Sequence, residues 1–381
     1  MTETPTTRTV SLRSKPVELH RASFEVDDFA MPTGREEDWR FTPLDRLRGL
    51  LDGTPSEGQL KWATELPPGV ELTTVGRGDP WLRTVPKPVD RIAALALRNS
   101  DGAVVIRVPA GTELAEPAVL RLSGTGNEQV WGHIVIDLGA HSRAKIVIEH
   151  TGSARYAGGL SVLVGDGAQL DLVSMQLWDR SAVHLAHVGI RLGRDAKIRS
   201  TQVSLGGDLV RVVETVEYAG AGGEAELGGL YLADAGQHLE HRLFVDHSAP
   251  HCKSNVIYKG ALQGEGAHTV WIGDVMIRAG AEGTDTYEQN RNLVLSDGAR
   301  ADSVPNLEIE TGEIVGAGHA STTGRFDDEQ LFYLQARGIN ESQARRLVVR
   351  GFFVEMIRRI GIGSVEDRLM TVIEAELETV S

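Results

Sequence analysis

The chain has 381 residues, of which 39 are basic and 53 are acidic, so its formal net charge is −14. This balance argues against a nucleic-acid-binding protein, which needs a basic surface to displace counterions. The single cysteine, Cys252, excludes an intramolecular disulfide and cannot by itself hold an iron–sulfur cluster. The start, 1–15, has no apolar leader, and no apolar stretch is long enough to cross a membrane. We therefore expect a cytoplasmic protein that binds neither nucleic acid nor membrane.

The first segment, 1–90, is rich in proline and contains charged stretches such as Arg-Glu-Glu-Asp-Trp-Arg at 35–40. Prolines at this density interrupt helices and strands. The pattern predicts a small helical or mixed cap. Within it, we expect the charged stretch to begin a short helix against which Trp39 packs.

From about Ile92 to 315 the pattern changes to short stretches of alternating apolar residues, as in 104–108 and 134–138. Many of the 43 glycines fall here, and a corner of small residues with a central alanine recurs. The corner alanines are Ala144, Ala168, Ala196, Ala225, Ala267 and Ala299. Their spacing of 24 to 42 residues is typical of a repeat architecture, so the sequence predicts a solenoid of β-strands over 91–315. A β-sandwich is the alternative.

The last segment, 316–381, predicts helices. Asp327 is positioned to cap the first, and Asn340 with Gln343 resembles a capping box that begins a longer helix. A third helix begins near Ser364. The longer helix carries an apolar stripe that serves either the core or an interface: Leu347, Val348, Phe352, Met356 and Ile360.

Several common catalytic signatures are missing from the sequence. No lysine follows a glycine as a Walker A loop requires, so we expect this chain to bind no ATP through a P-loop. Neither a His-Glu-x-x-His helix nor a Gly-x-Ser-x-Gly elbow is present. The sequence thus carries none of these hydrolase motifs.

Potential metal ligands are concentrated in one stretch, which contains His238, His241, His247, His251 and Cys252. On a strand His238 and His241 fall on opposite faces, which weakens a single shared site. The alternative is structural: the imidazoles satisfy polar groups of the fold, and Cys252 is a small buried side chain.

A second candidate is His319, which lies in a Gly-Ala-Gly-His-Ala-Ser stretch where the β pattern ends. Glu308 and Glu310 lie on the preceding predicted strand, and the flanking glycines allow another surface to approach closely. Composition alone gives this histidine no ligand signature.

Five segments, taken together and in this order, are similar to the SufB/SufD family of the SUF iron–sulfur cluster assembly system, on the SufD side: 35–44, 251–260, 301–309, 318–324 and 328–338. The resemblance implies a mainly β fold, with a right-handed parallel β-helix core flanked by N-terminal and C-terminal helical regions. It implies a non-catalytic scaffold that pairs with SufB through the β-helices and binds the ATPase SufC through its C-terminal helical region. A transient iron–sulfur cluster would then be shared with SufB. A homodimer of the isolated chain and a role for reduced flavin are left open.

The resemblance also carries over to particular residues. His319 matches the family histidine that is proposed to face a SufB cysteine, and Asp302 stands where SufB has that cysteine. Gly316-Ala-Gly318 replaces a cysteine found in some members, and Cys252 matches one found in many. We expect His319 as the metal ligand, with Cys252 and Glu308 as lesser candidates. Two alternatives are a β-helix enzyme acting on polysaccharide or acyl substrates and a purely structural interaction protein.

Overall fold

The computed structural model describes residues 22–47, 49–326 and 328–378. The stretch 1–15 and the predicted cap Asp327 therefore lie outside the described residues. The N-terminal part contains three short 3₁₀ turns, two strands and one helix, which are Val26–Asp28, Leu44–Leu47, Pro80–Arg83, β1 (Lys61–Glu65), β2 (Glu71–Gly76) and α1 (Arg91–Asn99).

The centre of the molecule is a coil of strands. They are β3 (Gly102–Val108), β4 (Ala118–Leu138), β5 (Arg143–Val164), β6 (Gln169–Trp178), β7 (Val183–Leu192), β8 (Lys197–Ser204), β9 (Leu209–Tyr218), β10 (Glu224–Ala233), β11 (His238–His247), β12 (Lys253–Leu262), β13 (His268–Ile277), β14 (Asp285–Val294), β15 (Arg300–Ile309) and β16 (Gly316–Arg325). From β6 on, each strand pairs in parallel with the strand two positions later. The coil therefore has two flat sides, the even sheet (β6 to β16) and the odd sheet (β7 to β15), over about eight turns.

This topology confirms the predicted parallel β-helix and rules out the β-sandwich, whose sheets are antiparallel. Paired residues on successive turns are 26 residues apart at Val183 and Leu209, and 32 apart at Lys253 and Asp285.

The corner alanines follow the coil. Ala168 and Ala196 directly precede β6 and β8, which are paired strands one turn apart. The long step from Ala225 to Ala267 runs from the even strand β10 to the corner before the odd strand β13, so it spans about one and a half turns. The spacing is longer here because the corner moves from the even sheet to the odd sheet, while the coil itself stays regular.

Alternation along the strands places one set of side chains inside the coil and the other set outside. The inside is a continuous apolar core that runs through most of the turns. On the outside, the N-terminal part packs on the odd sheet, with Leu47, Leu50 and Leu95 against Trp131 and Leu185.

Three C-terminal helices, α2 (Asp328–Gln335), α3 (Glu341–Arg359) and α4 (Gly363–Glu378), follow the last strand. Helices α3 and α4 pack on the outside of the even sheet, with Phe353 and Met356 in one buried cluster with Val203 and Leu230. The Asn340 cap is confirmed, because its side chain accepts a hydrogen bond from the Gln343 N–H at 2.9 Å. No helix within the described ranges is long and apolar enough to span a membrane.

Two expectations about elements differ from the structure. Ile92, where strands were expected to begin, lies in α1, because Asp90 caps a helix there and accepts from the Ala93 N–H at 2.8 Å. The first C-terminal helix begins at Asp328, directly after the predicted cap, but the coil continues past 315 as β16, which pairs with β14. Its Gly-, Ser- and Thr-rich sequence has no apolar alternation to reveal a strand. The division into three domains at 90 and 315 remains a prediction.

Candidate functional site

The last turn of the coil places His319 beside a buried carboxylate. His319 is the fourth residue of β16 and is in register with Glu288 on β14, so the two side chains point to the same side, the inside of the coil. The side chain of His319 is 43% exposed, whereas that of Glu288 is 1% exposed. The His319 Nδ1 lies 3.7 Å from the Glu288 Oε1. The pair thus joins a solvent-facing imidazole to an interior carboxylate.

Glu288 has an unusual environment for a buried acid. Neither carboxylate oxygen has a hydrogen-bond partner among the described residues. Burial, reinforced by the negative charge of Asp274, raises the pKa of Glu288 to about 8. Its Oε2 lies over Gly273 of the odd sheet, where a Cβ atom would stand only 2.3 Å away. A glycine at 273 therefore gives the carboxylate the room it occupies.

Several other polar side chains at this end of the coil are hydrogen-bonded. The Tyr231 hydroxyl donates to the Asn292 Oδ1 at 2.8 Å and accepts from the Asn290 Nδ2 at 2.8 Å. Ser321 of β16 donates to Ser303 of β15 at 2.7 Å, joining the two sheets across the last turn. The interior around Glu288 is thus polar, and among the described residues the buried Trp271 Nε1 and Thr269 Oγ1 also have no hydrogen-bond partner.

Glu308 does not lie with His319. Ser303 of β15 faces the inside, since it bonds to Ser321, and Glu308 is five residues further along the same strand. Alternation therefore points Glu308 to the outside of the odd sheet. Its neighbour Glu310 accepts from the Ala279 N–H at 3.1 Å. The structure brings neither glutamate to the His319 site.

Cys252 lies in the core, at the corner that precedes β12. Its Sγ is 3.5 Å from the Pro250 carbonyl oxygen and 3.6 Å from that of Gly220. Burial raises the pKa of the Cys252 thiol. Two strand spacings and four residues along the strand separate it from His319, which is about 16 Å. Cys252 and His319 are therefore not brought together.

The histidine-rich stretch divides between three places, as strand alternation predicts. His241 points inside and lies between the rings of Tyr231 and Tyr258, with centroids 5.1 and 5.6 Å away. His238 points outside, with its Nε2 3.1 Å from Glu240. His251 is at an exposed corner with φ of 60°. Within the described ranges, no group of three or more His, Cys, Asp or Glu side chains is arranged to hold a metal ion.

The charged stretch 35–40 docks on the odd sheet. It forms turns instead of the expected short helix. The predicted packing of Trp39 is confirmed, because its side chain is buried and the Arg211 guanidinium lies 4.1 Å from its ring centre. The Thr42 hydroxyl donates to the buried Glu240 at 2.8 Å. The contacts of this segment are structural.

The fold and this site define a β-solenoid protein with a half-exposed histidine at the end of its coil. Residues 120–352 match the family described as SUF system FeS cluster assembly, SufBD core domain. A SufBD family protein of Mycobacterium tuberculosis is 55% identical over 365 residues, which cover 94% of this chain and 92% of that protein. SufD of Escherichia coli is 27% identical over 86% of this chain and 84% of its own length. SufD of Bacillus subtilis is 25% identical over 76% and 67%, respectively.

The chain therefore belongs to the SufB/SufD family of the SUF iron–sulfur cluster assembly system. The family assignment agrees with the resemblance that the five sequence segments carry. No sequence motif includes Glu288. Only the pairing of β14 with β16 brings it to His319.

Proposed function

We propose that this chain is a non-catalytic scaffold subunit of a SUF assembly complex. In this proposal it pairs with a SufB-type subunit through the last turn of the coil and binds the ATPase SufC through its C-terminal helices. His319 is its ligand for a cluster that is built at the interface and then released. The observation that carries the proposal is the position of His319, half-exposed on β16, the final strand of the coil.

Exposed apolar side chains support two separate docking surfaces. Around the last turn, Tyr287, Ile309 and Val315 are 45%, 44% and 74% exposed. On the C-terminal helices, Phe332 and Leu347 are 72% and 50% exposed. Large apolar side chains in such positions are typical of protein–protein contacts. The first surface lies beside His319 and suits SufB, and the second suits SufC.

The chemistry of the proposed ligand suits a transient cluster. His319 offers a neutral imidazole nitrogen, and partner thiolates supply the other ligands. A histidine-ligated iron has a higher reduction potential than one with thiolates alone, and we expect the mixed ligand set to release its product more readily. Cys252 and Glu308, which lie away from His319, take no part in this proposal. SufC supplies the ATP hydrolysis.

The test is His319→Ala in a chain co-expressed with candidate SufB and SufC proteins. We expect the complex to co-purify by size-exclusion chromatography but to carry almost no iron and sulfide, because a ligand is missing and the fold is untouched. His251→Asn, at an exposed corner, is the matched control and should retain the wild-type cluster content. A full cluster on the His319→Ala complex would refute the ligand role. Failure to co-purify with either protein would favour the β-helix enzyme alternative.

A further inference from the structure

We propose that Glu288 and His319 together bind one divalent iron ion at the last turn of the coil, as an entry site for iron. The inference rests on the proposed function and deepens it, because it gives this chain a second ligand, one that no sequence motif assigns. Glu288 contributes a carboxylate oxygen and His319 its Nδ1. Water or a partner subunit completes the coordination.

The distance between the two atoms fits a shared ion. At 3.7 Å, the His319 Nδ1 and the Glu288 Oε1 are too far apart for a hydrogen bond. Two ligand atoms that each lie roughly 2.1 Å from one metal ion are roughly 3.4 Å apart at the tetrahedral angle and about 4.2 Å apart on opposite sides. The observed separation falls between these values, so an ion fits without a large movement of either strand.

The lack of partners around Glu288 is the second argument. Buried carboxylates in proteins are normally hydrogen-bonded, ion-paired or coordinated to a metal. Glu214, also inside this coil, accepts from the Ser200 hydroxyl at 2.6 Å and from the Tyr258 hydroxyl at 3.2 Å. Glu288 has no such donor on either oxygen. Its one ion-pair contact among the described residues is His319, the residue proposed to bind iron.

The site is open to solvent and has an incomplete set of ligands, and both features suit the delivery of iron. An ion can reach Glu288 past His319, which is 43% exposed. Imidazole and carboxylate are common ligands of iron(II). Because the described residues hold no third ligand, the ion would be bound loosely and could be passed on.

The test is a titration of the isolated full-length chain with Co(II), a spectroscopic substitute for iron(II), followed by visible absorption and calorimetry. We expect one site in the wild-type chain and a loss of affinity of at least about tenfold in both Glu288→Gln and His319→Ala, because each removes one of two protein ligands. Glu288 has no hydrogen bond to lose, so the Gln variant should fold, which thermal melting checks.

Two controls make the result specific. Glu308→Gln removes a carboxylate from the outside of the neighbouring strand, and His251→Asn removes an exposed imidazole; neither should change the affinity. Glu288→Gln also separates metal binding from packing, because glutamine keeps the size and shape of the side chain while its amide oxygen is a poor metal ligand. Wild-type affinity in a folded Glu288→Gln chain would overturn the inference.

The iron site and the proposed function can fail separately. If His319→Ala lowers both Co(II) affinity and cluster content while Glu288→Gln changes neither, the inference fails and the proposed function stands. If His319→Ala complexes carry a full cluster, the proposed function fails, and the titration alone decides whether the two side chains share an ion.

Discussion

Glu240 and Glu288 are both buried carboxylates of this coil, but their surroundings are opposite. Burial alone would raise the pKa of Glu240, yet the hydrogen bond with His238 and the charges of Arg211 and Arg242 lower it to about 2. Glu288 has none of these partners, and its pKa is raised to about 8. The first carboxylate is fully compensated within the fold. The second has no hydrogen-bond donor among the described residues.

Cys252 matches a family cysteine only by the resemblance of its segment, and its burial argues for a structural role. We predict that Cys252→Ala leaves the cluster content of the complex unchanged, because the thiol is buried in the core about 16 Å from His319. The loss of one packed sulfur should lower the free energy of unfolding by about 1 kcal/mol. Iron and sulfide analysis and urea unfolding measure the two effects. A folded variant that assembles but lacks the cluster would give Cys252 a role in assembly.

Helix α3 packs one of its faces on the even sheet. Phe353 is fully buried against the even sheet, whereas Phe332 on α2 is 72% exposed. We predict that Phe353→Ala lowers the free energy of unfolding by about 3 to 5 kcal/mol, because it leaves a cavity between helix and sheet. Amide hydrogen exchange should show faster exchange in α3 and α4.

The matched control for this prediction is Phe332→Ala. Its effect on stability should be within about 0.5 kcal/mol, because an exposed side chain contributes little packing. The same variant should weaken co-purification with SufC if the proposed docking surface is right. Equal losses of stability in the two variants would show that α2 and α3 depend on each other for packing.

These elements also show how far the sequence predicts the structure. The Gly-rich corners at Ala168 and Ala196 predict the coil, because each turn of a solenoid repeats the corners of the turn on which it stacks. The stripe on α3 was left open between core and interface, and the structure divides it: Met356 and Ile360 are buried, whereas Leu347 is 50% exposed. Apolar residues occur on both faces of this helix, so periodicity could not separate them. No sequence pattern predicts Glu288 as a site residue, because only long-range strand pairing places it beside His319.

For the whole molecule, the two ends of the coil differ. Near the start, β1 and β2 pair antiparallel with β4 and β3, so N-terminal residues cover strand edges there. At the other end, β15 and β16 are the last strands of the order, and no described strand pairs beyond them. Unpaired edges invite association with another chain. The unpaired strand edges of the described coil therefore lie at the end that carries His319, which supports the proposed position of the partner.

The interior histidines give the whole molecule a predictable response to acid. Burial lowers the pKa of His133, His150, His241 and His247 to about 4. In the unfolded chain a histidine titrates near 6.5. As the pH falls from about 6.5 to about 4, the unfolded state takes up protons that the folded state does not. These four residues therefore lower stability across this window, and they have no effect on its pH dependence above it.

We predict that His241→Leu reduces by one the number of protons that the chain takes up on unfolding in this pH window. Because His241 lies between Tyr231 and Tyr258 with no hydrogen bond on either ring nitrogen, an apolar side chain of similar size can replace it. The slope of the free energy of unfolding against pH, measured by urea unfolding between pH 6.5 and 4, should fall by about 1.4 kcal/mol per pH unit. An unchanged slope in His241→Leu would mean that the imidazole is protonated inside the folded coil.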